Sequence, residues 1–270
     1  MEQEALYQLS RSLQKWVLEA TAETRKKMTQ PLEIMTKSSR NDLVTNVDCA
    51  NQAFFAEQIK AEYPMAQLVG EEGANVGAGD WHNGLTFFVD PIDGTMNFVK
   101  QQENFAIMIG VYEDGQALFG IIYDVMADQL FWGGPQLGIF RNEQALEQAA
   151  DQPLSEGLIC VNTRMLVTNE RQLQQVFVQS SGVRIYGSAG ITFAQLLRGN
   201  AQAYISKLAP WDIACGTRFS RDTWFSDFKF RWSTNFNGCQ RRDDYCTKAS
   251  DARNYRHYGP FKNGRIIRFS

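Results

Sequence analysis

Three short segments combine carboxylates with turn-forming residues, each after an apolar run. Gly70-Glu71-Glu72-Gly73 follows Gln67-Leu68-Val69. Asp90-Pro91-Ile92-Asp93-Gly94-Thr95-Met96-Asn97-Phe98 follows Leu85 to Val89. Trp211-Asp212-Ile213-Ala214-Cys215-Gly216 follows Ala203 to Ser206 and Pro210. Pro91 biases Asp90 toward an extended conformation that ends a strand with the carboxylate projecting. Gly94 allows a tight turn, and Asp93 or Thr95 suits the start of a helix. Two aspartates three apart on such a turn could converge on one point, where they would repel one another unless a cation stood between them. All the candidate ligands are oxygens, which selects a hard ion such as Mg²⁺ over Zn²⁺. The free N–H groups of Gly94 and Thr95 at a helix start suit a phosphate. Carboxylates holding Mg²⁺ beside an anion-binding helix end point to metal-assisted phosphate hydrolysis. Each segment alone reads as a solvated turn or a helix cap; three together, each after an apolar strand, do not.

The elements that must position these residues are legible in the patterning. Leu6, Leu9, Leu13, Trp16 and Val17 stand at helical spacing within the first 28 residues, which predicts an amphipathic helix with one packed face. Asn41 to Asp48 reads as a polar turn entering a second helix, Cys49 to Tyr63, that Pro64 stops. Strand-like runs follow at Gln67–Val69, Leu85–Val89, Phe105–Tyr112, Leu118–Asp124, Leu130–Trp132 and Gly138–Phe140, with a hairpin signal at Glu113-Asp114-Gly115. Beyond about residue 141, strands at Leu158–Val161, Ile185 and Ala203–Ser206 alternate with helices at Glu170–Gln179 and Gly190–Arg198. The pattern predicts an α+β layer over residues 1–140 packed on an α/β layer over 141–270.

Composition bounds the remaining classes. A chain of 270 residues with 44% hydrophobic content can bury a substantial core, and no apolar run approaches the roughly 20 residues that span a bilayer. The N-terminus carries charge throughout, unlike a signal peptide. Five cysteines without metal-binding spacing read as free thiols in a reducing cytoplasm. The net charge of −3 divides unevenly: residues 1–216 hold 15 basic and 25 acidic side chains, and residues 217–270 hold 12 and 5. A basic tail can signal nucleic-acid contact, yet the carboxylate set argues for a phosphorylated small molecule.

Taken together, Gly-Glu-Glu, Asp-Pro-Ile-Asp-Gly-Thr-Met-Asn-Phe and Trp-Asp-Ile-Ala-Cys-Gly, with Asp42-Leu43-Val44-Thr45-Asn46-Val47-Asp48 upstream, resemble the inositol monophosphatase family from about residue 5 to residue 216. The resemblance implies a layered αβαβα sandwich of the inositol monophosphatase and fructose-1,6-bisphosphatase type. It implies a lithium-sensitive phosphatase using two or three Mg²⁺ ions, held by Glu71, Asp90, Asp93, Asp212 and the Ile92 carbonyl. Thr95 with Glu71 would activate water, and Asp48 would hold a weaker metal or its water shell. Gly94 and Thr95 would bind the phosphate, while Ser188, Ala189 and Asp212 would meet the rest of the substrate. Possible homodimerisation is a further family trait. Inositol-specific members place a glutamate seven residues before the last aspartate; here Ile205 stands there and cannot accept the same hydrogen bonds, so the implied substrate is an inositol phosphate or a related polyol or sugar phosphate. A nucleotide 3′-phosphatase or NADP phosphatase is the alternative within the class, and an inactive binding protein the alternative outside it.

After Gly216 the chain departs from the family's pattern. No Leu, Val or Met occurs from residue 217 onward, while 12 of those 54 residues are Phe, Trp or Tyr. Such a segment offers almost no aliphatic face at either helical or strand period. Lys229 to Asn235, back-translated and read one base later, gives Asn-Phe-Asp-Gly-Gln-Pro followed by Ile or Met. A frame shift thus accounts for the tail and predicts poor folding beyond residue 216, with weak or no activity.

Overall fold

The structure, a computed structural model, describes residues 1–73, 81–147 and 152–216. The expected consequences of the tail lie outside the described residues, as do those of any strand beyond residue 216.

Helix α1 (Gln3–Lys27) buries Leu6, Leu9, Leu13, Trp16, Val17 and Ala20, the face that the sequence pattern predicts. Burying each large side chain is worth about 1.5–3 kcal/mol. Glu4 in its first turn and Arg25, Lys26 and Lys27 in its last complement the helix dipole. An antiparallel hairpin follows, β1 (Ile34–Thr36) and β2 (Leu43–Thr45), the second strand over residues expected to be a turn. Helix α2 (Asn46–Glu62) begins three residues earlier than expected. Thr45 and Asp48 form a capping box there, the Thr45 hydroxyl accepting from the Val47 and Asp48 amides while the Asp48 carboxylate accepts from the Thr45 amide at 2.9 Å. That reciprocal cap satisfies orphan amides and converts an apparent turn into the helix's first turn.

A seven-stranded sheet then forms in chain order: β3 (Gln67–Gly70), β4 (Leu85–Asp93), β5 (Ala106–Glu113), β6 (Gln116–Asp124), β7 (Gln129–Gly134), β8 (Gly138–Arg141) and β9 (Gln144–Ala145). The first pair is parallel and the rest antiparallel. The sheet therefore runs past the expected boundary at residue 140, which falls inside β8. Ile107, Ile109 and Val111 of β5 pack against α1 and α2, whereas Ala106 and Met108 face the second layer. This is the period of two that lets one strand serve two cores.

The second layer holds three parallel strands ordered β11 (Gly182–Arg184), β10 (Leu158–Val161), β12 (Ala203–Ile205). Helices α4 (Thr163–Val167) and α5 (Leu173–Gln179) connect β10 to β11, and α6 (Ala189–Leu197) connects β11 to β12. The helix expected over Glu170–Gln179 is interrupted, because Arg171 (φ 55°) and Gln172 (φ 61°) adopt left-handed backbone. Ile205, the aliphatic residue seven positions before Asp212, is 2% exposed and packs in this layer's core. Together the layers form the αβαβα sandwich. Among the described residues no helix is long and apolar enough to cross a membrane.

Candidate active site

Asp90 and Asp93 owe their convergence to an irregularity in β4. The register with β5 pairs Asp90 with Met108 and Asp93 with Ala106, so β4 spends one more residue than its partner over that interval. In a regular strand an odd separation would send the two carboxylates to opposite faces. The extra residue is a bulge, which turns both to the face shared by Ala106 and Met108. Pro91 sits inside the bulge, where its missing N–H costs no ladder bond. Asp93 thus remains in strand. The helix start belongs to Gly94, whose φ of 88° is left-handed, followed by α3 (Thr95–Gln101).

Asp212 arrives from α7 (Pro210–Gly216), pressed against β4, β5 and β6. The approach is close because Gly110 lies beneath it: a Cβ there would stand 2.6 Å from the Ala214 carbonyl carbon. Asp212 Oδ2 accepts from the Ala209 amide at 2.9 Å. Carboxylate oxygens of Asp90, Asp93 and Asp212 all lie within 4.8 Å of one another. Burial, then the charges of Glu71, Asp93 and Asp212 and a hydrogen bond with Glu71, holds Asp90 well above the usual carboxylate range. Burial raises Asp93 to about 6 against the opposing effect of three donors. Those donors are the Ser188 hydroxyl and the amides of Ala189 (3.0 Å, to Oδ1) and Gly190 (2.7 Å, to Oδ2). A set of oxygen-only donors, two of them buried and Asp212 half-buried, whose charges oppose one another fits a hard divalent cation.

Glu71 adjoins this cluster and is not one of its three members. It contacts Asp90 on one side, and on the other its Oε1 accepts from Lys37 Nζ at 2.8 Å. Lys37 also donates to Glu72 at 2.7 Å. Burial works against the Lys37 charge, but Glu71 and Glu72 outweigh it and raise its affinity for a proton. Burial, opposed by Lys37, pushes Glu72 up to about 7. Sequence reasoning misses Lys37: a lone lysine in a hairpin has no local signature, and only the β1–β2 pairing carries it to the Glu71 turn.

Thr95 Oγ1 lies 2.9 Å from Asp48 Oδ1 and 3.1 Å from the Ile92 carbonyl, two acceptors sharing one hydroxyl proton. The other Asp48 oxygen is taken by the Thr45 amide and hydroxyl. Asp48 therefore meets Thr95 and its own helix cap, and burial raises it above the usual range against those bonds. Ser188 and Ala189, expected at the substrate, direct their donors at Asp93. Gly94 is confined by the same junction, since a Cβ on it would stand 2.9 Å from the Ser188 Cβ.

Two layered sheets, a bulge-borne pair of aspartates and a third aspartate from a separate helix belong here to a phosphoric monoester hydrolase. The chain is a member of the inositol monophosphatase family, whose model matches residues 2–218. It is 40% identical over 210 residues to inositol-1-monophosphatase of Bacillus subtilis (strain 168), covering 75% of this chain and 78% of that one. Among solved structures, inositol monophosphatase-II from Staphylococcus aureus superposes with a TM-score of 0.70 at 38% identity, over 78% of both chains. An IMPase/NADP phosphatase complexed with Mg²⁺ and phosphate does so at 0.73 and 28% identity, over 80% of this chain and 81% of the other. SaIMPase-II has also been solved with inositol monophosphate and with 2′AMP, each at 0.70 and 36% identity, over 78% and 79% of this chain and 78% of each of those chains.

Proposed function

We propose that the chain hydrolyses a small polyol or sugar phosphate monoester with Mg²⁺, and is inhibited by lithium. The observation that carries the reading is the convergence of Asp90, Asp93 and Asp212 oxygens from two layers within 4.8 Å. These three, with Glu71 and the Ile92 carbonyl, would hold two or three ions. Bound Mg²⁺ supplies charge neutralisation for the phosphate and for the attacking and leaving oxygens. Thr95, with its proton directed to Asp48 or Ile92, keeps lone pairs free to accept from a water. Asp48 orients that hydroxyl and accepts its proton as the threonine accepts the water's. Glu71, flanked by Asp90 and Lys37, orients the same water. The amides of Gly94 and Thr95, at the start of α3, would bind the phosphate. The IMPase/NADP phosphatase and the 2′AMP-bound structure favour a second reading in which the ester belongs to a nucleotide.

Phosphate release from a panel of polyol, sugar and nucleotide monoesters, with Mg²⁺ or with EDTA, tests both. Because the altered tail implies weak activity, turnover at a low rate is expected, abolished by EDTA, restored by Mg²⁺ and suppressed by millimolar lithium, with polyol or sugar esters preferred. Full turnover in EDTA would end the metal reading, and exclusive turnover of nucleotides would transfer the assignment to the second.

A further inference from the structure

Ser188 stands at the junction of the two layers with both functions of its hydroxyl engaged. As N-cap of α6, its oxygen accepts from the Ile191 amide at 3.1 Å. Its proton is directed at Asp93 Oδ2. The next two amides complete the grip, Ala189 on Oδ1 and Gly190 on Oδ2. Gly190 is part of the device, because a Cβ there would fall 3.0 Å from Asp93 Oδ2 and 2.8 Å from the Ala106 Cβ. Ser188 is 4% exposed and Asp93 6%, so water competes little for these bonds. An aspartate carried by the large sheet is thus aimed by the first turn of a helix in the other layer. A serine with its donor and acceptor both satisfied inside the protein has little left to offer a substrate hydroxyl.

We propose that Ser188 is a positioning residue for Asp93, and that it serves divalent-cation affinity rather than substrate recognition. The proposal rests on the metal reading given above. Removing a hydrogen-bond partner that orients a metal-holding group typically costs about 10–100-fold in metal affinity. At saturating Mg²⁺ the cation itself draws Asp93 into place, so kcat returns and KM for the phosphate ester stays near the parent value.

The test uses the full chain and its Ser188→Ala, Ser188→Thr and Thr192→Val variants. Mg²⁺ binding is measured by calorimetry and by thermal shift without substrate, and kcat and KM at saturating Mg²⁺. Thr192 donates to the Ser188 carbonyl within α6 at 2.7 Å, so Thr192→Val loosens the same helix turn without removing a donor to Asp93. The expected result is a Mg²⁺ dissociation constant raised about 10–100-fold in Ser188→Ala, near the parent value in Ser188→Thr and Thr192→Val, with KM unchanged in all three. A Ser188→Ala variant with parental Mg²⁺ affinity and a raised KM would make Ser188 a substrate contact and overturn the proposal. So would a Thr192→Val variant that loses as much Mg²⁺ affinity as Ser188→Ala, which would reduce the effect to loosening of α6. If Ser188→Ala fails to fold, Ser188→Thr decides: parental affinity with parental KM supports the role, and a raised KM with parental affinity overturns it. A parent chain that binds no Mg²⁺ overturns the metal reading itself, and this proposal with it.

Discussion

The two layers contribute to the site in opposite ways. The large sheet supplies Asp90, Asp93 and Thr95 from β4 and the start of α3, along a strand buried from Thr86 onward. Those residues are held by a continuous ladder and by a core that includes Phe87, Val89, Ile107 and Ile109. The second layer supplies Asp212 from a seven-residue helix and the Asp93 clamp from the start of α6. Its contribution depends on how closely a helix backbone approaches a sheet. Positions set by strand pairing tolerate little rearrangement, whereas positions set by docking are lost when the approach lengthens.

The largest expected effect comes from the strand-held group. Asp90→Asn removes a central carboxylate charge and one of its two oxygens, whose metal contacts are worth several kcal/mol, so Mg²⁺-dependent phosphate release falls about a thousandfold or more. The fold survives, and the melting temperature without Mg²⁺ does not fall, because a buried charge opposed by three others is gone. Phosphate assays with melts in EDTA would check both. Gly110→Ala strikes the docking instead. Its Cβ would push α7 away, costing about 1–3 kcal/mol as overpacking and up to ~10²-fold in turnover through displaced Asp212. Denaturant melts and Mg²⁺ titrations would read this; unchanged Mg²⁺ affinity with lost stability would show that Asp212 does not depend on the close approach.

Smaller effects probe the large layer away from its ladder. Thr45→Ala dissolves the capping box and costs about 1 kcal/mol, read as a lower denaturant midpoint, with reduced kcat because Asp48 loses its orientation toward Thr95. Asp128 offers a pH test. Bonds from Tyr123 and Arg25 hold its carboxyl below the usual range, so its stabilisation is present above the unfolded-state value and disappears as pH falls through the folded one. Both Asp128 and Arg25 are largely exposed, which limits the effect to a few tenths of a kcal/mol. Melts of Asp128→Asn against the parent should differ slightly at neutral pH and converge in acid.

Much of this architecture is legible in the chain itself. The three acidic segments, α1, six of the seven strands of the large sheet and the alternation beyond residue 141 follow from residue type and spacing; β9 is missed, and the strand read at Ile185 stands at Gly182–Arg184. The convergence of Asp90 and Asp93 is expected from a turn at Pro91, but the structure reaches it through a bulge, since their spacing in a regular strand would set them apart. Pro91 reads as a strand end, and only the partner strand reveals that it occupies a bulge within a continuing one. The contact between Thr95 and Asp48 spans 47 positions, and no local pattern announces it. Arg171 and Gln172 break a helix that their types allow, because tertiary context overrides propensity there. Counting back from Asp212 marks Ile205 but cannot see which face of β12 its side chain takes; there it packs in the core.

The clamp on Asp93 also bears on the order in which the molecule becomes competent. Asp93 accepts from an amide 96 positions further along the chain, and Asp212 lies beyond even that. Contacts of such separation are closed late, after local pairings have removed most of the chain's freedom. During synthesis the large sheet can assemble while the residues that finish the cation site are still unmade. The protein's chemistry is thus the last property it acquires.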